Sequence, residues 1–180
     1  MEDTITQENI KFPEMAEEIL GMAEVDQEMR RRVNANQGII ESEEDDNLDK
    51  KHTERMKEII KQIGWPTISK VGAKASDKAW LLVQHADHDV EFQKSCLSMM
   101  KQEIQGEVLP KNIAYLEDRV RINSNQPQLY GTQFRWKDNK PLQNIEDREN
   151  VDERRKEMGL KTLAEGIEEM YRAYNIEKPK

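Results

Sequence analysis

The residues best suited to acid–base chemistry are crowded into one short stretch, residues 84–89. Its imidazole and carboxylate groups are those of His85, Asp87, His88 and Asp89. Such groups can bind a divalent cation or form an acid–base pair, because a neighbouring carboxylate orients an imidazole ring and raises its pKa. The spacing matches no His-Glu-x-x-His or comparable signature, and a catalytic zinc needs three protein ligands. We therefore predict no metal site and favour an acid–base role.

Each member of this stretch has a different expected position. Asp89 is well placed to cap the helix that follows it, and His88 is expected to face water. His85 falls one turn after two leucines near the end of a core helix, so it is expected to be half-buried and either hydrogen-bonded in the core or functional. If the protein is an enzyme, His85 is the general acid or base, with Asp87 or Asp118 orienting it.

Two other groups of charged residues could assist a site. Asp26, Gln27 and Arg30 form a polar trio on a predicted helix, with the two charged residues one turn apart. A surface ion pair worth a few tenths of a kcal/mol is the simpler interpretation of that trio. Asp118 and Arg119 are adjacent, and arginine offers a planar fork suited to a carboxylate or phosphate. Arg30 and Arg119 are thus candidates for holding negative charge, while a buried ion pair at Asp118 is the structural alternative.

A third cluster is rich in neutral hydrogen-bonding groups. It consists of Gln128, Tyr130, Gly131, Thr132 and Gln133. Amides and hydroxyls around one glycine favour recognition of a polar ligand rather than nucleophilic attack. A phosphate-binding loop is excluded because the Gly-x-x-x-x-Gly-Lys pattern is absent, and no Gly-x-Ser-x-Gly motif is present.

The elements that must position these groups are predicted to be mainly α-helical. Apolar periodicity, with glycine and proline at the stops, indicates about seven helices packed as an irregular bundle. Four of these helices are predicted at residues 14–33, 76–86, 150–158 and 163–174. Of the other three, one ends at Gly64, one ends at Gly106 and one begins at Pro110. Thr162 and Glu165 are expected to form a capping box.

Two segments depart from the helical pattern. Residues 34–50 carry a dense acidic run without periodicity and are predicted to be a solvated loop. Residues 128–145 contain β-type residues on both sides of a plausible turn and are predicted to form one small β-hairpin, in which Gly131 marks a bulge or a close backbone approach. We expect one helical domain over residues 13–180, after a flexible tail over residues 1–12.

Composition limits the classes of protein. Charged residues make up 36% of the 180 residues, and 28 basic against 36 acidic residues give a net charge of −8. This balance argues against a nucleic-acid partner, which needs a concentrated basic face. The N-terminal residues lack the pattern of a secretory signal and no segment is apolar enough to cross a membrane, so we expect a soluble, cytoplasmic protein. Cys96 is the single cysteine and is expected to be a small buried hydrophobe.

The ordered motifs resemble those of a bacterial domain-of-unknown-function family. That family has Gly-Trp-Pro, Gln-His-Ala-Asp, Asp-Arg and Tyr-Gly-Thr-Gln motifs, which match residues 64–66, 84–87, 118–119 and 130–133. The resemblance covers about residues 14–160 and carries no established activity. It implies a shared polar site, which lowers the weight of the surface-pair interpretation for Asp26 and Arg30. Relatives often have proline where this chain has Val90, so the helix junction here is expected to be slightly looser.

Two hypotheses of function follow. The first is a pocket that binds a small polar, anionic molecule, in a hydrolase or transferase that uses His85 as acid or base. Its ligand-binding residues would be Asp26, Gln27, Arg30, Gln93, Arg119, Gln128, Tyr130, Thr132 and Gln133. The second is a protein-interaction module whose polar motifs form a structural hydrogen-bond network and whose acidic surface docks a basic partner. Neither hypothesis names a cofactor. Convergence of these side chains on a solvent-connected cavity would favour the first, and polar side chains that satisfy one another without a cavity would favour the second.

Overall fold

The computed structural model describes residues 10–35, 43–103, 105–137, 140–173 and residue 177. Within those residues the predicted mainly helical class is confirmed, with seven α-helices. These are α1 (Pro13–Ala35), α2 (Glu43–Ile63), α3 (Ile68–Gln84), α4 (Val90–Gln102), α5 (Pro110–Asn123), α6 (Val151–Glu157) and α7 (Leu163–Ala173). The chain divides into two compact units, Met1–Leu109 with α1 to α4 and Pro110–Lys180 with α5 to α7. The single domain expected from the sequence over residues 13–180 stays a prediction.

The core of the first unit is formed where α1, α2 and α3 pack together. Ile19 of α1, Met56 and Ile59 of α2, and Ala79 and Val83 of α3 are completely buried there. Their spacing within each helix places them on one face, which is the periodicity that predicts these helices. Asp26 of α1 and Asp49 of α2 lie on these helices and His85 caps α3, so the core fixes their positions.

Helix α2 begins earlier than expected. The prediction of a loop over residues 34–50 is wrong for residues 43–50, which form the first two turns of α2. Residues 36–42 lie outside the described part of the chain. An acidic run without apolar periodicity reads as a loop, but negative charge is also favoured at a helix N-terminus by the helix dipole. The correction matters because Asp49 becomes a helical residue facing the rest of the unit.

Helix α3 is also longer than predicted. It starts at Ile68 and contains a kink at Gly72, whose φ of 81° is open to glycine but strained for other residues.

Helix α4 begins at Val90, and the predicted cap is confirmed because the backbone N–H of Phe92 donates to Asp89 Oδ1 at 3.0 Å. His88 is exposed, as expected. Cys96 on α4 is completely buried, and burial raises the pKa of its thiol.

The second unit carries two short strands besides its helices. Arg135–Lys137 (β1) and Lys140–Leu142 (β2) pair antiparallel, with the Cα atoms of residues 136 and 141 opposite each other. Residues 128–134 were expected to belong to the first strand and instead form an irregular loop, with one isolated bridge between Gln128 and Ile145. The amide groups of this loop bind an aspartate side chain rather than a partner strand, as described below.

The helices that close the second unit begin near the predicted residues. A 3₁₀ turn at Arg148–Asn150 leads into α6. The capping box at the start of α7 is confirmed, because the Glu165 N–H donates to Thr162 Oγ1 at 3.3 Å and the Thr162 N–H donates to Glu165 Oε2 at 2.9 Å. Across the part of the chain that the structure describes, no helix combines the length and apolarity needed to span a bilayer.

Candidate functional site

His85 and Asp26 form a close histidine–carboxylate contact within the first unit. His85 caps the C-terminus of α3, and Asp26 lies on α1. The two side chains meet with His85 Nδ1 2.8 Å from Asp26 Oδ1. The Asp26 side chain is only 1% exposed, whereas the His85 side chain is 16% exposed. A buried carboxylate therefore holds one edge of an imidazole ring that solvent still reaches.

Two contacts at His85 Nδ1 favour opposite protonation states of the ring. Arg30 Nε is placed to donate to His85 Nδ1 at 3.0 Å or to Asp26 Oδ1 at 3.3 Å, and Asp26 Oδ1 lies 2.8 Å from the same ring nitrogen. A neutral ring cannot both donate from Nδ1 to Asp26 and accept at Nδ1 from Arg30. Without a proton at Nδ1, its lone pair would face the carboxylate oxygen at 2.8 Å, which is repulsive. We therefore assign the proton to Nδ1, with Arg30 donating to Asp26, and this leaves Nε2 unprotonated in the neutral ring.

Arg30 is held between two carboxylates. Its Nη2 donates to both oxygens of Asp49, at 2.8 and 3.0 Å, while its Nε faces Asp26. Two negative charges thus surround one positive charge when His85 is neutral. The geometry disfavours the predicted role of Arg30 in holding a ligand's negative charge, because that charge is already compensated. Arg30 instead keeps Asp26 in place beside the ring.

The pKa values of the Asp26 and Asp49 carboxyl groups shift in opposite directions. Burial alone would raise the pKa of Asp26, but hydrogen bonds from His85 and Gln27 and the charges of His85 and Arg30 outweigh it and lower the pKa. Gln27 Nε2 donates to Asp26 Oδ2 at 2.8 Å. Burial raises the pKa of Asp49, although Arg30 opposes the shift. Asp26 is therefore the carboxylate that stays ionised most readily beside the ring.

A second histidine lies near this cluster. His52 on α2 is buried, and its Nδ1 has no hydrogen-bond partner among the described residues. Burial lowers its pKa, and the charges of Asp26 and Asp49 oppose that shift. The sequence does not distinguish this buried histidine from one on a helix surface. The described residues contain no group of three or more His, Cys, Asp or Glu side chains that could hold a metal ion.

Gln93 fixes the junction that carries His85. This side chain is completely buried, and its Nε2 lies 3.2 Å from the carbonyl oxygen of Val83, 3.3 Å from that of Gln84 and 3.3 Å from Asp87 Oδ1. The last carbonyls of a helix lack partners within the helix, so Gln93 compensates the end of α3. Asp87 is itself exposed and bonds Gln93, whereas the carboxylate that contacts His85 is Asp26.

Asp118 organises the loop of the second unit. It is completely buried on α5 and accepts four hydrogen bonds. The donors are the backbone N–H groups of Leu129 (2.7 Å), Tyr130 (3.0 Å) and Thr132 (2.8 Å) and the Thr132 hydroxyl (2.9 Å). Burial raises the pKa of Asp118, and the four hydrogen bonds oppose that shift. Within its unit, Asp118 thus has the geometry of a structural anchor, and its predicted catalytic role stays a prediction.

The two glutamines of the loop bind each other. The Gln133 N–H donates to Gln128 Oε1 at 2.8 Å, and Gln128 Nε2 donates to the Gln133 carbonyl at 3.0 Å. Arg119 Nη1 donates to Gln133 Oε1 at 3.1 Å, and Gln133 Nε2 donates to the Tyr115 carbonyl at 3.3 Å. Arg119 therefore supports the loop from α5. The Asp-Arg and Tyr-Gly-Thr-Gln motifs are parts of one hydrogen-bond network.

Helix α6 holds the same loop from its other side. Arg154 Nε donates to the Leu129 carbonyl at 2.9 Å, and Arg155 Nη1 donates to the Tyr130 carbonyl at 2.7 Å. Gly131 has a φ of 65°, and a Cβ atom there would lie 2.5 Å from Ile145 Cδ1. The expected close backbone approach at Gly131 is therefore present. Neither arginine was among the predicted site residues, because an arginine that binds backbone carbonyls has no recognisable sequence pattern.

A pocket of about 620 Å³ opens in the second unit next to this loop. Six carboxamide side chains line it, those of Asn125, Gln126, Gln128, Gln133, Gln143 and Asn144, together with Ile122 and Arg135. Two of the predicted ligand-binding residues are thus pocket residues, and four of the carboxamides were not predicted. Within the first unit, four of the predicted residues contact one another: Asp26, Gln27, Arg30 and His85.

The described residues define a mainly helical protein with a histidine–aspartate pair in one unit and a carboxamide-lined pocket in the other. The chain belongs to a family of unknown function, DUF6624, whose model matches residues 13–178. The comparisons with curated proteins and with solved structures found no match.

Proposed function

We propose that the protein is a hydrolase or transferase that acts on a small polar molecule with His85 as its general acid or base. The observation that carries the proposal is the 2.8 Å contact between His85 Nδ1 and the buried Asp26, in a ring that is still 16% exposed. Proton transfer at such a pair needs the second ring nitrogen to be available. Among the described residues, His85 Nε2 has no hydrogen-bond partner.

The chemistry at this pair follows from the positions of the protons. Nε2 accepts a proton from an attacking hydroxyl or water, and Asp26 stabilises the imidazolium that forms. The imidazolium then returns the proton from Nε2 to the leaving group, so the ring ends in its starting state. Arg30 and Asp49 hold Asp26 in place, and Gln93 holds the helix end that presents His85. Asp26 thus takes the orienting role that the sequence suggested for Asp87 or Asp118.

The alternative hypothesis, a protein-interaction module with a structural hydrogen-bond network, is supported by a different set of residues. Asp118, Thr132, Gln128 and Gln133 have partners within their own network, which favours a structural role for these motif positions. On this view the motifs of the second unit shape a loop instead of performing a reaction. A protein partner docking on the acidic surface remains the alternative function if His85 has no role in turnover.

We expect His85→Gln to abolish turnover while leaving the fold intact. Glutamine can still donate a hydrogen bond to Asp26, but it has no group that accepts and returns a proton near neutral pH. The measurement is a screen of the wild-type chain against chromogenic carboxyl and phosphate esters and common group donors, followed by kinetics of the variant on whichever compound is turned over. The expected fall in kcat is about 10²- to 10⁴-fold.

His88→Gln is the matched control, because His88 lies three residues away and is exposed. It should retain wild-type turnover and the same melting temperature. The proposal is contradicted if the wild-type chain turns over nothing in the screen, or if the His85 variant is folded and as active as wild type.

A further inference from the structure

The pocket of the second unit has an unusual charge balance for this chain. Its volume of about 620 Å³ lies within the range of small-molecule sites. The protein has 36 acidic residues and a net charge of −8, yet none of the described residues lining this pocket is acidic and one, Arg135, is a cation. The net charge disfavours the approach of an anion, whereas this pocket offers it a guanidinium.

One wall of the pocket is rigid. Gln128 is buried, and its side-chain amide and the backbone of Gln133 exchange two hydrogen bonds, at 2.8 and 3.0 Å. Gln143 is tied to the loop as well, because its Nε2 donates to the Gly131 carbonyl. These side chains are fixed before any ligand arrives, so a ligand would not have to order them on binding.

Other side chains that line the pocket have donors and acceptors available to a ligand. Asn125, Gln126 and Asn144 are exposed, and their side chains have no hydrogen-bond partner within the described ranges. Arg135 is also exposed, and no carboxylate of the described residues pairs with it. The backbone under Asn125 is held by a turn at the end of α5, where the Gln126 N–H donates to the Arg121 carbonyl at 2.8 Å. The free groups therefore stand on a fixed backbone.

The types of these groups select a class of ligand. A carboxamide presents donors and an acceptor side by side, which suits a hydroxyl group that both donates and accepts. A guanidinium binds phosphate or carboxylate through two parallel hydrogen bonds. Among the lining residues that the structure describes none is aromatic, and an aromatic ring is the stacking surface that a nucleobase prefers.

We propose that this pocket binds a small polyhydroxylated molecule with one anionic group, such as a sugar phosphate or a sugar acid. Arg135 binds the anionic group, and the side chains of Asn125, Gln126 and Asn144 bind the hydroxyl groups. This proposal stands apart from the acid–base chemistry proposed for His85, because none of the residues that carry it takes part in that mechanism. It holds whether or not His85 is catalytic.

The test is isothermal titration of the full chain with a fixed set of compounds. The set contains glucose 6-phosphate, ribose 5-phosphate, gluconate and glucuronate, with glucose, ribose and inorganic phosphate as partial ligands. At least one anionic sugar should bind more tightly than its uncharged parent and than inorganic phosphate. Arg135→Gln should weaken that binding about ten- to hundredfold, which is the usual effect of losing a hydrogen bond to a charged group. The phosphates and the acids in the set show which anionic group is preferred.

The matched control is Arg148→Gln, which removes an exposed arginine of the same unit that does not line the pocket. It should bind as wild type does. The proposal is overturned if no anionic sugar of the set binds, if inorganic phosphate alone binds as tightly, or if Arg135→Gln binds unchanged.

Discussion

Replacing Asp118 with alanine is expected to lower the free energy of unfolding of the second unit by about 3 to 5 kcal/mol. Asp118 is completely buried and is the acceptor for three backbone N–H groups and one hydroxyl of the loop at residues 129–132. Alanine would leave these donors without an acceptor, and each buried unsatisfied group costs about 1–3 kcal/mol. Partial exposure of the loop to water limits the total.

The measurement is urea unfolding combined with amide hydrogen exchange. Exchange at Leu129, Tyr130 and Thr132 should accelerate more than exchange elsewhere, because their N–H groups lose their acceptor directly. Asp118→Asn keeps one acceptor oxygen and should be intermediate. Glu153→Ala removes an exposed carboxylate of the same unit and should change stability by less than about 0.5 kcal/mol. An alanine variant at position 118 as stable as that control would show that the loop does not depend on Asp118.

Replacing Asp26 with asparagine is expected to lower kcat by about 10²- to 10⁴-fold on the substrate that the screen identifies. The amide keeps the size of the side chain and an oxygen that can accept from His85. It removes the negative charge that stabilises the imidazolium during proton transfer. The variant should therefore remain folded and bind substrate, while the chemical step becomes slow.

Asp49→Asn is the control for that experiment. Asp49 contacts Arg30 but not the ring of His85, so its replacement should reduce kcat much less than the change at Asp26. Equal losses in both variants would indicate that the whole charged cluster acts as a structural unit. An Asp26→Asn enzyme with wild-type kcat would remove Asp26 from the mechanism.

The starts and ends of several helices could be predicted because they depend on neighbouring residues. Asp89 caps α4 through an amide three residues away, and Thr162 and Glu165 cap each other across the first turn of α7. The start of α2 could not be predicted in this way, because its neighbouring residues do not indicate it. Its acidic first turns have no apolar periodicity, and what identifies Asp49 as a helical residue is its contact with Arg30 on another helix.

The site was predictable in its members but not in their pairing. His85 stood out as a half-buried histidine at a helix end, and Asp26 as one end of a polar trio. The two are 59 positions apart, and no local spacing shows that α1 and α3 bring them within 2.8 Å. The same holds for the second unit, where Asp118 meets a loop that had looked like a strand. The residue types of this loop are those of a strand. They do not show whether its backbone N–H groups bind a neighbouring strand or, as here, an aspartate side chain.

The most direct test of the account is the protonation of the His85 ring in the wild-type protein. Long-range nitrogen–proton correlation spectra distinguish the two neutral tautomers, and His85 can be assigned by comparison with the His85→Gln and His88→Gln variants. The account predicts that neutral His85 carries its proton on Nδ1, facing Asp26, with Nε2 unprotonated and free to act as a base. A proton on Nε2 with a bare Nδ1 would contradict it, because Arg30 would then donate to the ring and Asp26 would not orient His85.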